Sequence, residues 1–96
     1  MGGVRIVNEH TRRILKQTLT LLGEYRRGTA NLRYLVNGLE GSLNALEEEL
    51  PETFYTQWYI HWGGLEQILA AGTERERRME ILEEVEALEA LLSQCL

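Results

Sequence analysis

The sequence predicts an all-α protein, an antiparallel up-down-up-down four-helix bundle. Three observations lead there. Seventeen leucines stand against a single proline, with 44% hydrophobic residues overall, a balance that favours helix over strand or disorder. Apolar residues recur at spacings of three and four in four separate stretches, the period of one helical face. The joints between the stretches are short, and short joints force consecutive helices to run antiparallel. At 96 residues the chain is read as one domain, residues 1–96, with residues 1–7 as a flexible lead-in.

The first helix is expected to open at Asn8 as N-cap and to stop at Arg26-Arg27-Gly28. Cations in its last turn and a glycine able to turn left-handed mark that end. Its stripe is Ile14, Leu15, Thr18, Leu21, Leu22 and Tyr25. Thr29 is the expected cap of the second helix, whose stripe runs Leu32, Leu35, Val36, Leu39, Leu43, Leu46 and Leu50. Gly38, Gly41 and Ala45 share a neighbouring face, and glycines inside a helix point to close approach by another backbone.

Pro51 suits the first turn of the third helix, where its missing N–H is no loss. Phe54, Trp58, Trp62, Leu65 and Leu69 form the stripe, Gly63-Gly64 is expected to kink it, and Gly72 ends it. The fourth helix opens with Thr73-Glu74-Arg75-Glu76, read as a Thr-x-x-Glu capping box. Its seam is Ile81, Val85, Leu88, Leu92 and Cys95, widened by Leu82 and Leu91. On that seam Cys95 is expected to act as a small buried apolar residue.

Most site chemistry falls away on composition. All fifteen acidic residues are glutamate, so the usual Mg and Ca ligand and the usual orienter of a catalytic histidine are missing. One cysteine makes neither a disulfide nor a zinc-binding spacing. No Glu precedes His10 or His61 by three residues, which excludes the carboxylate-bundle metal motif. There is no Gly-x-Ser-x-Gly turn, and Gly63-Gly64 lacks the Lys-Ser/Thr ending of a phosphate loop. The expectation is a non-enzyme with no cofactor and no metal. Without a signal peptide or an apolar run of spanning length, it is placed in the cytoplasm, away from membranes.

What remains is surface. The net charge of -5 hides a split: residues 1–33 carry seven basic and two acidic groups, residues 34–96 three and thirteen. Opposite-sign helices packed side by side account for it, or a patch of one sign meets a partner. The run Phe54 to Trp62 holds five of the seven aromatic residues, more than one helix face buries in a small bundle. Tyr55, Tyr59 and His61 are the candidate surface members. Together with Glu48, Glu52 and Glu66 they make an acidic, aromatic candidate site for a basic protein partner.

At Leu35-Val36-Asn37-Gly38-Leu39-Glu40, then Leu43 and Leu46-Glu47, then Trp58…Trp62-Gly63-Gly64-Leu65-Glu66, the chain resembles small all-helical bacterial proteins. Some of these are immunity proteins or accessory components of toxin and defence loci. The resemblance covers residues 32–70 and implies a non-enzymatic binding role: inhibiting a larger toxin, or assembling with a defence effector. Two alternatives stand beside it. One is a self-associating structural bundle whose fourth helices pair between chains. The other is nucleic-acid binding through the first helix, where Arg12, Arg13 and Lys16 cluster. A sequence pI near 5.0 works against that last field.

Overall fold

The first helix, α1 (Glu9–Arg27), is closed at both ends by its own sequence. Asn8 Oδ1 accepts from the Thr11 backbone N–H at 2.7 Å, which satisfies one of the orphan donors of the first turn. At the other end Gly28 adopts φ 85°. There Gly28 N–H donates to Tyr25 O and Thr29 N–H to Glu24 O, the paired bonds of a Schellman stop. A computed structural model describes residues 8–46 and 50–96. The expectations for residues 1–7 and for Glu48 fall outside the described residues.

The remaining helices are α2 (Leu32–Leu46), α3 (Glu52–Ala71) and α4 (Arg78–Ser93). Consecutive helices pack on one another and α1 closes against α4, giving the expected all-α up-and-down four-helix bundle. All seven stripe residues of α2 and its extension to Leu50 are buried, as are Ile81, Val85, Leu88 and Leu92 of α4. Cys95, at the end of that seam, is half-buried against the core. No described helix is long and apolar enough to cross a membrane.

Four local expectations are corrected. Thr29 does not cap α2: its hydroxyl donates back to Glu24 O at 3.1 Å, and Asn31 Oδ1 instead accepts from Tyr34 N–H at 2.8 Å. Thr73 likewise sends its hydroxyl back to Ile68 O, and α4 begins only at Arg78. The cause is shared. Each threonine follows a left-handed glycine, Gly28 or Gly72, and its N–H is consumed in closing the helix before it. It is therefore not in position to start the next one.

The third correction is that α3 runs unbroken through Gly63-Gly64. Trp62 Nε1 donates to Val36 O on α2 at 3.0 Å, and Leu65 is buried one turn on, so neighbours on both sides hold the segment helical. The fourth concerns Gly38. It receives a side chain, not a backbone: a Cβ there would lie 2.5 Å from Leu21 Cδ2 of α1. Gly41 faces open space.

α1 meets α4 through adjacent residues that diverge. The Tyr25 hydroxyl donates to Glu74 Oε2 at 3.1 Å, with the Arg78 guanidinium over its ring. Arg26 instead pairs with Glu89 in the far half of α4. The last turn of α1 thus lies across α4. Burial, joined by the bond and charge of Glu74 and opposed by Arg78, pushes the Tyr25 phenol up to about 12.

Candidate functional site

The aromatic run divides around α3 according to helix geometry. Phe54 and Trp58 point inward and stack, with ring centroids 5.8 Å apart. Ile68 takes the core place expected for Leu69, which, like Trp62, is half-buried at the core margin. Tyr55 is drawn to that margin too. Its ring stands edge-on to Phe54 and its hydroxyl accepts from Leu50 N–H at 3.1 Å. This candidate therefore braces the α2–α3 joint. Tyr59 is 56% exposed, its ring edge-on to Trp62.

Of the candidate residues, Glu52, Tyr55, Tyr59 and Glu66 follow one another along α3 at offsets of 3, 4 and 7, which puts them on one flank of the helix. Glu52 and Glu66 are exposed. His61 is not part of that flank. It turns toward α4, where Nδ1 lies 2.6 Å from Glu84 Oε1, with side chains 23% and 29% exposed.

Two features escape a reading of the sequence. Ile60 is 58% exposed in the middle of α3, immediately beside Tyr59. Residue type alone hides it, since an isoleucine within an apolar run is ordinarily core, but its place two residues from both Trp58 and Trp62 turns it away from their stripe. The other is the seat of Glu84. A Cβ on Gly64 would lie 2.8 Å from Glu84 Oε2, so the glycine leaves room for the carboxylate that holds His61. The pair spans 23 residues of chain, and only the register of the α3–α4 hairpin brings its members together.

Chemically, a carboxylate on Nδ1 orients an imidazole. It does not by itself make a catalytic or metal site. Among the described residues no group of three His, Cys, Asp or Glu side chains could hold a metal ion. Glutamates dominate the surface beyond it: Glu76, Glu80, Glu83 and Glu86, of α4 and the turn before it, are all exposed. Arg77 makes a 3.4 Å pair with Glu80. On α1, Arg12, Arg13 and Lys16 are exposed. No family model matches the chain, and neither does any curated protein or solved structure.

Proposed function

We propose that this chain is a non-enzymatic interaction module that binds a basic protein through the outward flank of α3. One observation carries the reading: Tyr59 and Ile60, both more than half exposed, stand side by side in mid-helix between the glutamates at 52 and 66. Burying two such side chains supplies contact energy, and the surrounding acidic charge selects a partner of opposite sign and speeds encounter. An immunity protein or accessory subunit acting on a bacterial toxin or defence effector is the concrete form that the resemblance favours.

The test is site-specific photocrosslinking in cells, with the crosslinking residue at position 59 or 60 and a control at Glu40 on α2. A basic protein captured at 59 and 60, absent at 40, and lost on Ile60→Glu with helicity unchanged supports the reading. No capture, or capture equal at all three positions, defeats it. A crosslink joining two copies of the chain at 59 or 60 would establish self-association through α3 instead, and a nucleic-acid adduct would establish the third alternative.

A further inference from the structure

An open groove lies between α1 and α2, with a volume of about 500 Å³. Its α1 wall is Gln17, Thr20, Leu21 and Glu24, related by steps of three and four along one flank of the helix. Its α2 wall is Tyr34, Asn37 and Gly38. Gly38 makes the depression: a Cβ there would lie 2.5 Å from Leu21 Cδ2. The floor is therefore apolar and the rim polar. None of these residues is buried, and the Tyr34 side chain is among the most exposed large apolar groups of the chain, at 60%.

The lining selects by charge. It holds one carboxylate, Glu24, and no cation. No ion pair among the described residues engages Glu24: Arg26 is paired with Glu89, and the Arg27 guanidinium lies against Gly23. Thr20 donates its hydroxyl proton to Lys16 O at 3.1 Å, so its oxygen has only lone pairs left for a ligand. The face of the Tyr34 ring is negative by its quadrupole. An anion would meet the carboxylate with nothing to balance it, and an apolar ligand would strip that carboxylate of water without replacing it. A planar cation rich in N–H donors satisfies both the ring and the carboxylate. The molecule already makes this grouping once. At Tyr25 the Arg78 guanidinium lies over the ring, 5.5 Å from its centroid, while Glu74 accepts from the phenol. Tyr34 and Glu24 bring the same two groups to one groove, and among the described residues no cation lies over Tyr34.

We propose that this groove is a recognition site for an arginine side chain presented by another polypeptide. The guanidinium stacks on Tyr34 and pairs with Glu24. Its methylene stem lies along Leu21 above Gly38, and the main chain that carries it stays outside the open rim. A lysine brings a point charge where a plane is needed. No α3 residue lines the groove, so the site does not rest on the α3 reading above.

Titration of the full chain with the capped tripeptide acetyl-Gly-Arg-Gly-amide, followed by backbone amide chemical shifts, tests this. Saturable shifts are expected at Leu21, Glu24 and Gly38. Three comparison ligands isolate the parts. The citrulline tripeptide keeps the shape without the charge and is expected to leave the shifts unmoved. The lysine tripeptide and methylguanidinium, which lack the plane and the stem, are each expected to bind at least about threefold more weakly. Glu24→Gln and Tyr34→Ala, at positions that are not buried, should each weaken the arginine tripeptide at least about threefold with helicity unchanged, whereas Tyr34→Phe should retain it. The proposal is overturned if the arginine tripeptide gives no saturable shifts, or shifts only the glutamates of α4. It is equally overturned if a comparison ligand binds as tightly, or if Glu24→Gln and Tyr34→Ala leave binding unchanged.

Discussion

Thr11 Oγ1 and Trp58 Nε1 are buried polar atoms without a hydrogen-bond partner among the described residues. Thr18, the other buried threonine, solves the same problem by donating to Ile14 O at 2.7 Å. An unpaired buried polar group costs about 1–3 kcal/mol of desolvation, and replacing the hydroxyl by a methyl of similar shape removes that cost. Thr11→Val is therefore expected to stabilise the fold by about 1 kcal/mol. Thermal melting should register this as a rise of about 4–8 °C for a chain of this size. The change leaves the Thr11 backbone N–H on Asn8 intact. The sequence places only Thr18 on the inward stripe of α1; the burial of Thr11, three residues before Ile14, is decided by its surroundings.

At the scale of the element, glycines inside helices separate into those that serve packing and those that do not. A Cβ added at Gly41 would meet nothing within 4 Å, whereas one at Gly64 would meet the Glu84 carboxylate at 2.8 Å. Gly41→Ala should gain about 0.5–1 kcal/mol from helix propensity. Gly64→Ala must shift the Glu84 carboxylate, whose other oxygen holds His61, and is expected to gain less than Gly41→Ala, by about 1 kcal/mol where the His61 bond is lost. Urea unfolding of the two variants side by side decides the matter; equal gains would mean the carboxylate moves aside freely. The apolar periodicity of α2 and α4 was fully legible, since a stripe spaced by three and four has one way to face a core. Helix starts were less so. Thr29 and Thr73 carry the right side chain for a cap, but the preceding left-handed glycines commit them to the helix behind.

For the molecule as a whole, the Tyr25–Glu74 contact is one of the points where the last turn of α1 closes the bundle on α4. Its phenol, held at about 12 in the folded chain, ionises near 10 once unfolded. Between pH 10 and 12 the unfolded state therefore releases a proton that the folded state keeps. Stability is full below pH 10 and is lost as the pH climbs through that window. Guanidinium midpoints measured from pH 9 to 12 should fall for the wild type. Tyr25→Phe should flatten the part of the decline that Tyr25 contributes. The opposite charges of α1 and α4 act at the same scale. Arg26–Glu89 is an exposed pair, screened by solvent, so it adds little to the stability of the fold.

The sequence by itself determined that there are four helices, their order and the core stripes of α2 and α4, because each follows from residue spacing along one chain segment. It also marked the charge split between the first third and the rest. Tertiary structure alone decided which flank of each helix met which neighbour. That put Tyr55 at a joint, exposed Ile60 beside Tyr59, and joined His61 to Glu84 over Gly64. It also paired Arg26 with Glu89 across α1 and α4. These depend on helix rotation and hairpin register, which arise when the stripes pack together and are encoded in no single stretch of sequence.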